Sequence, residues 1–114
     1  MSGITTHVLD TARGRPAAFV PVTLERREPD GSWTRLGAGT TDADGRLRTL
    51  VPAGASLERG VHRLVFGTGV YARAHGETAF YPEVPIVFEI QDPAQHYHVP
   101  LLLAPFGYST YRGS

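Results

Sequence analysis

The stretch VPIVFEIQDPAQHYHVPLLLA, residues 84–104, contains two segments in which apolar side chains recur at every second position. One face of the first segment consists of Val84, Ile86, Phe88 and Ile90. One face of the second segment consists of Tyr97, Val99, Leu101 and Leu103. Such alternation is typical of half-buried β-strands, because successive side chains of a strand point to opposite faces. The stretch therefore predicts two strands separated by the turn signal QDP, residues 91–93.

The same alternation continues toward the N-terminus. In ITTHVL, residues 4–9, one face carries Ile4, Thr6 and Val8 and the other Thr5, His7 and Leu9. In FVPVTLE, residues 19–25, the apolar face carries Val20, Val22 and Leu24. Turn signals separate the runs: RGRP at 13–16, PDGS at 29–32, DADG at 42–45 and PAGA at 52–55. Short strands at this spacing predict a β-sandwich.

Two features qualify this pattern. Pro21 and Pro85 lie inside predicted strands and lack the N–H that a central strand donates, so we expect them at edge strands or bulges. Residues 69–83, GVYARAHGETAFYPE, break the alternation and predict at most one short helix between two strands.

Length and composition limit the classes of protein. A chain of 114 residues supports one core, and we expect a single domain over residues 1–114. Lys+Arg and Asp+Glu total 11 each, which predicts no nucleic-acid partner and no membrane partner, whereas a neutral surface favours self-association. The absence of cysteine excludes disulfides. No signal-peptide pattern and no apolar run of about 18–20 residues occur, so the predicted location is the cytoplasm.

The strand at 96–104 has an unusual second face, made of His96, His98, Pro100 and Leu102. A face of mixed polarity indicates a subunit interface or a ligand cleft. Histidine can act as a general base near neutral pH, and His7 lies on a similar mixed face in the first strand. A zinc site at His96 and His98 is a weaker alternative, because no HExxH motif or carboxylate at ligand spacing accompanies them. His62 and His75 are interpreted as structural.

Arg46 follows the Asp-Gly turn in DADGRL. Its guanidinium gains a functional meaning only if the turn directs it into a pocket, where it can grip two carbonyl oxygens. No phosphate loop, nucleophile elbow or paired-carboxylate motif occurs, and Ser109 and Ser114 lack the setting of an activated nucleophile.

Together these segments resemble the 5-hydroxyisourate hydrolases, the enzymatic branch of the transthyretin-like proteins. The resemblance rests on ITTHVLDTARGRPA at 4–17, TTDADGR at 40–46, and FYPEVPIVFEI with HYHVPLLLAPFGYSTYRGS at 80–114. The final Tyr-Arg-Gly-Ser is the tetrapeptide that separates these hydrolases from transthyretin. The resemblance implies an all-β, transthyretin-like (prealbumin-like) two-sheet sandwich of about eight strands, four in each sheet, with one short helix. It also implies a homotetramer with sites in a channel between dimers.

The resemblance further implies which residues act in the reaction, and it implies neither a metal nor a cofactor. The catalytic group would be His7 of TTHVLD, Arg46 of DGR and His98 of HYHVP. The same cleft would be lined by Tyr111, Gly113 and Ser114, which bind substrate. His98, Pro100 and His7 would face another subunit, whereas Arg48 is an ordinary surface variation.

The implied reaction is the hydrolysis of 5-hydroxyisourate to 2-oxo-4-hydroxy-4-carboxy-5-ureidoimidazoline in urate degradation, a part of purine catabolism. A histidine would deprotonate water, and Arg46 would hold substrate oxygens and the developing negative charge. A nearby cationic Arg46 should favour the neutral imidazole that a base needs. Whether His7 or His98 is the base stays open here.

Two alternatives belong to other classes. The first is a non-catalytic transthyretin-like protein that binds or transports a small ligand; two histidines and an arginine in one site argue against it. The second is an immunoglobulin-like adhesion or carbohydrate-binding module, which predicts a monomer with a signal peptide.

Overall fold

The computed structural model describes residues 3–114. In this range ten strands and one helix follow one another: β1 (Gly3–Asp10), β2 (Arg15–Pro16), β3 (Pro21–Arg27), β4 (Trp33–Thr40), β5 (Arg46–Leu47), β6 (Gly60–Phe66), α1 (Thr68–Ala74), β7 (Val84–Ile90), β8 (His96–His98), β9 (Leu101–Ala104) and β10 (Gly107–Thr110). The predicted all-β sandwich with one short helix is confirmed, since only β2 and β5, of two residues each, add to the expected number of strands. The domain range 1–114 stays a prediction, and its first two residues lie outside the described part.

The first sheet is organised around β1. This strand pairs antiparallel with β2 and β5, and parallel with β8 and β9, while β10 pairs antiparallel with β9. The sheet has six strands instead of the implied four, because the two-residue strands β2 and β5 also pair with β1. As a result, residues from four separate parts of the chain lie beside β1.

The second sheet is antiparallel throughout, in the order β4-β3-β6-β7. Pro85 lies on the edge strand β7, as predicted. The same prediction was wrong for Pro21, because β3 is central and pairs with both β4 and β6. Pro21 is tolerated there as the first residue of the strand, and its carbonyl accepts a hydrogen bond from the N–H of Gly67 (2.8 Å). A register shift occurs between Leu24 and Glu25.

The core lies between the two sheets, and the predicted apolar faces form most of it. Fully buried side chains include Ile4, Val8, Val22, Leu24, Leu64, Phe66, Ile90 and Leu101. Ile86, Phe88 and Leu103 are partly buried and pack against this cluster. Thr6 is the polar member of the β1 face, and its hydroxyl donates to the carbonyl of Val99 (2.6 Å). The alternation therefore correctly predicted which faces are internal.

Helix α1 occupies the segment that broke the alternation. It ends at Ala74, close to Gly76, whose φ of 72° suits glycine. Its buried Tyr71 donates a hydrogen bond to the carboxylate of Asp10 on β1 (2.7 Å), which ties the helix to the first sheet. No helix within residues 3–114 is long and apolar enough to cross a membrane.

Candidate active site

Strand β1 brings the predicted catalytic residues together by its register. His7 is the partner of Arg46 in the pairing of β1 with β5. Thr5, two residues earlier on the same face, is the partner of His98 in the parallel pairing of β1 with β8. Alternate residues of a strand share a face, so His7 and Thr5 place Arg46 and His98 on the side of the sheet away from the core.

The turn before β5 positions Arg46. The carboxylate of Asp42 accepts hydrogen bonds from the N–H groups of Asp44 (2.9 Å) and Arg46 (3.0 Å). Gly45 has a φ of 76°, and a Cβ there would lie 2.5 Å from the carbonyl oxygen of Val8. Only glycine fits this turn, which confirms the predicted Asp-Gly signal. The hydrogen bond from the Arg46 N–H, with the weaker one from Asp44, lowers the pKa of Asp42 more than burial raises it. The Asp42 carboxylate therefore stays ionised and continues to hold the turn.

His98 is half-buried and held by one ring nitrogen. Its Nδ1 lies 2.8 Å from the hydroxyl of Thr5, and this hydroxyl lies 2.8 Å from Nε2 of His96. No other side-chain hydrogen bond to the His98 ring is found among residues 3–114, so Nε2 is available to a ligand. Burial lowers the pKa of His98, and electrostatic interactions with His96, His7, Arg46 and Arg48 lower it further. The ring is thus neutral at neutral pH, as a general base must be.

His7 is held differently. Its Nε2 lies 3.0 Å from the backbone carbonyl of Asp44. A carbonyl oxygen only accepts, so Nε2 carries the hydrogen and Nδ1 is the unprotonated nitrogen of the neutral ring.

A cavity of about 260 Å³ lies beside His98. Its lining consists of Thr5, Thr6, Arg46, Arg48, His96, His98 and Ser114. No carboxylate side chain is in this lining, so its charged groups favour a ligand with several oxygen acceptors or a negative charge. Of the six predicted site residues, Arg46, His98 and Ser114 line the cavity, whereas His7, Tyr111 and Gly113 do not. Tyr111 is 58% exposed in the isolated protomer.

The C-terminal residues pack against the His98 strand. The N–H of Gly113 donates to the carbonyl of His98 (2.8 Å), and a Cβ on Gly113 would lie 2.5 Å from Cδ2 of the His98 ring. The guanidinium of Arg112 stacks 4.5 Å from the centre of the Tyr97 ring and donates to the side-chain oxygen of Gln95 (3.1 Å). These contacts bring Ser114 to the cavity and leave room for the ring only because residue 113 is glycine.

The sequence reasoning missed four lining residues: Thr5, Thr6, Arg48 and His96. Thr5 shares the alternating face with His7 and was not chosen, and His96 was left undecided. Arg48 was interpreted as an ordinary surface residue; it is exposed, yet it lines the cavity two residues after Arg46. For Thr5, Arg48 and His96 the available signal was an offset of two from a chosen residue. Thr6 gave no such signal, because it lies on the buried face of β1.

Pro100 also differs from its expectation. It is buried within the protomer instead of facing another subunit, and its carbonyl accepts a hydrogen bond from the hydroxyl of Thr110 (2.7 Å). Within residues 3–114 no group of three or more histidine or acidic side chains is close enough to hold a metal ion.

A larger cavity of about 500 Å³ lies near α1, lined in part by Asp10, Arg13, Tyr71 and Glu77. Here the charged groups pair with each other, since Arg13 bonds to Asp10 (2.9 Å) and Glu77 (3.0 Å). The smaller cavity, with an available imidazole and two arginines, is the better candidate for chemistry.

Two packed sheets, one short helix and a histidine–arginine cluster on the outer face of a sheet define a transthyretin-like sandwich with a polar site. The chain belongs to the HIUase/Transthyretin family, whose model matches residues 4–113.

Individual relatives agree with this assignment. The chain is 51% identical over 116 residues to a 5-hydroxyisourate hydrolase of Mesorhizobium japonicum, covering 97% of this chain and 91% of the relative. Its fold is similar to that of Klebsiella pneumoniae 5-hydroxyisourate hydrolase, with a TM-score of 0.85, 36% identity and full coverage of both chains. It is also similar to sea bream transthyretin in complex with thyroxine (TM-score 0.89, 32% identity, covering 97% and 94% of the two chains).

Proposed function

We propose that this protein is a 5-hydroxyisourate hydrolase. It hydrolyses 5-hydroxyisourate to 2-oxo-4-hydroxy-4-carboxy-5-ureidoimidazoline, a step of urate degradation. Membership of the family and the names of its relatives support the activity. The observation that carries the proposal is the placement of a neutral, available His98 beside Arg46 in one cavity.

In this mechanism His98 is the general base. Its Nε2 takes a proton from water, while the water oxygen forms a bond to the scissile carbonyl carbon of the substrate ring. Collapse of the tetrahedral intermediate breaks the C–N bond, and the proton on His98 passes to the leaving nitrogen, which regenerates the base. His98 is preferred over His7 because it lines the cavity and its pKa is lowered, whereas Nε2 of His7 is bonded to Asp44.

The other predicted residues have supporting roles. Arg46 holds the substrate oxygens and the oxyanion of the intermediate, a type of stabilisation that is often the largest single contribution. His7, the register partner of Arg46, orients the attacking water. Ser114 binds substrate from the cavity wall, Gly113 leaves space for the His98 ring, and Tyr111 closes the cleft after assembly.

Assembly as a homotetramer, with sites where two dimers meet, is part of the proposal. It is supported by the neutral net charge and by exposed aromatic side chains, including Phe19 (68% exposed) and Phe106 (79% exposed). The cytoplasmic location stays a prediction from the sequence.

A binding protein is the rival, because the fold is also similar to that of a transthyretin in complex with thyroxine. The cavity argues against a large apolar ligand, since its lining contains two arginines and two histidines but no large apolar side chain.

The test is the ultraviolet decay of freshly generated 5-hydroxyisourate with wild type, His98→Ala and His75→Ala, a histidine outside the cavity. Wild type and His75→Ala should accelerate the decay, and His98→Ala should lose the ~10²–10⁴-fold that a positioned base supplies. If folded wild type does not accelerate the decay, the protein is not this hydrolase, and ligand screening follows.

A further inference from the structure

We propose that Thr5 and His96 are positioning residues that set the tautomer of His98 through the single hydroxyl proton of Thr5. This inference rests on the proposed function, because it concerns how the base of that reaction is kept ready.

The geometry is a short chain of two hydrogen bonds. The Thr5 hydroxyl lies 2.8 Å from Nδ1 of His98 and 2.8 Å from Nε2 of His96. Backbone pairing holds all three residues, because β1 runs parallel to β8 with Thr5 opposite His98. The N–H of Val99 also donates to the carbonyl of Thr5 (2.9 Å), which continues the pairing. The three side chains are thus placed by two rigid strands.

Proton counting leaves three arrangements when both rings are neutral. A hydroxyl donates once, and each bond needs one hydrogen. In the first arrangement Nδ1–H of His98 donates to Thr5, and the Thr5 hydroxyl donates to Nε2 of His96. In the second arrangement every donor is reversed. In the third arrangement both rings donate to the Thr5 oxygen, which has two lone pairs, and neither ring accepts the hydroxyl hydrogen. The first and third arrangements leave an unprotonated Nε2 on His98 that can take a proton from water, and of these only the first also gives the hydroxyl hydrogen a ring acceptor.

The charges of the cavity favour the first arrangement. Arg46 and Arg48 line the cavity with His98. Since Nδ1 is bonded to Thr5, the nitrogen left to the cavity is Nε2, and cations favour a lone pair there over an N–H dipole. The same arrangement suits the protonated intermediate, because an imidazolium keeps its Nδ1–H bond to Thr5 unchanged. The base therefore gains and loses its proton without reorganising the chain.

The test combines a spectroscopic and a kinetic measurement on Thr5→Val, which removes the hydroxyl, and Thr5→Ser, which keeps it. Thr11→Val is the matched control, because its hydroxyl bonds only the carbonyl of Leu103 at the end of β1 (3.0 Å). In the ¹⁵N spectrum of histidine-labelled tetramer without substrate, we expect His98 with protonated Nδ1 and unprotonated Nε2. Thr5→Val should give a mixture of tautomers, and Thr5→Ser should restore the wild-type form.

With substrate, Thr5→Val should lower kcat roughly 10- to 100-fold, a part of the contribution of a positioned base, with little change in KM. Thr5→Ser should recover most of this loss. Protonated Nε2 on wild-type His98, or an unchanged tautomer and kcat in Thr5→Val, would overturn the inference. The spectrum needs no substrate, so the expected tautomer in a protein without hydrolase activity would refute the proposed function while confirming that Thr5 sets the tautomer of His98.

Discussion

Arg46 and Arg48 differ by two positions, and this offset gives both of them access to the cavity. Leu47 between them is buried, as alternation in a strand requires. Arg46 is fixed by its N–H bond to Asp42 and its pairing with His7, whereas Arg48 follows the end of β5. The two guanidinium groups are therefore expected to contribute unequally to substrate binding and catalysis.

Replacing each arginine with alanine measures this inequality. Arg46→Ala should reduce kcat/KM by ~10²–10³-fold, the usual cost of losing a donor to an oxyanion. Arg48→Ala should act mainly through KM and by less than about tenfold. Either change removes a cation near His98, so its pKa should rise and the acidic limb of the kcat/KM profile should move to higher pH. Arg59→Ala, outside the cavity, is the control; equal losses for Arg46 and Arg48 would contradict the role of Arg46.

Gly113 has no side chain and therefore leaves space for the His98 ring. In Gly113→Ala the new Cβ would lie 2.5 Å from Cδ2 of His98, so the ring must move. We expect kcat to fall about 10- to 100-fold, because small displacements of a catalytic group are costly. Gly107→Ala is the matched control, since a Cβ there meets no atom within 4 Å. Steady-state kinetics of the two variants decide; similar kcat values would show that the ring does not need this space.

At the scale of elements, the contact between α1 and β1 depends on a buried carboxylate. Burial raises the pKa of Asp10, but hydrogen bonds from Tyr71 and Arg13 outweigh this effect and hold the pKa below its ordinary value. Burial and the bond to Asp10 raise the pKa of Tyr71 to about 12. The pair therefore consists of a neutral phenol donating to a carboxylate, which is a strong hydrogen bond.

Tyr71→Phe removes this donor and leaves Asp10 with Arg13 alone. The free energy of unfolding in urea at pH 7 should fall by about 1.5–3 kcal/mol, the usual contribution of a hydrogen bond to a charged group. Because the pKa of Asp10 is lowered in the folded state, its contribution is complete above its unfolded pKa and is lost as the pH falls through the folded value. Tyr108→Phe, at an exposed tyrosine, is the control at the same protein concentration. Equal stability of both variants would mean that the phenol does not hold the helix.

At the scale of the whole molecule, two histidines link stability to pH. His62 is fully buried; its Nδ1–H donates to the carbonyl of Gly60 (2.9 Å), and Nε2 has no partner among residues 3–114. Burial is the main cause of its lowered pKa, the charge of Arg26 adds to it, and the Gly60 carbonyl and Glu58 partly oppose it. The pKa of His98 is also lowered, mainly by burial. In both cases the unfolded chain binds more protons, so stability falls as the pH drops below the unfolded pKa of about 6.5.

His62→Leu and His62→Phe remove one of these two groups. Urea unfolding followed by the fluorescence of Trp33 should show wild type less stable at pH 5.5 than at pH 7.5. In both variants this difference should shrink, because the proton that the unfolded chain takes up at His62 below pH 6.5 no longer contributes. One such proton corresponds to at most about 1.4 kcal/mol for each pH unit. If the difference in stability between the two pH values is as large in both variants as in wild type, groups other than His62 cause the pH dependence.

Local patterns determined a large part of this description. Alternation predicted the buried faces of β1, β3 and β8–β9, because the side-chain period of a strand is two wherever one face is buried. The Asp-Gly turn and the short helix within residues 69–83 could also be predicted from the sequence, since both depend on neighbouring residues only. The motifs indicated the family and named Arg46 and His98.

Pairings between distant strands required the tertiary structure. Thr5 and His98 are 93 positions apart, and only the parallel register of β1 and β8 brings the hydroxyl to the ring. Pro21 was assigned to an edge strand or a bulge because a single strand does not show how many neighbours it has. Arg48 belongs to the cavity, and Pro100 to the protomer interior, for the same reason. The sequence by itself determined which residues face inward and which turn; the packing of the two sheets decided which outward-facing residues meet, because register depends on contacts across the whole fold.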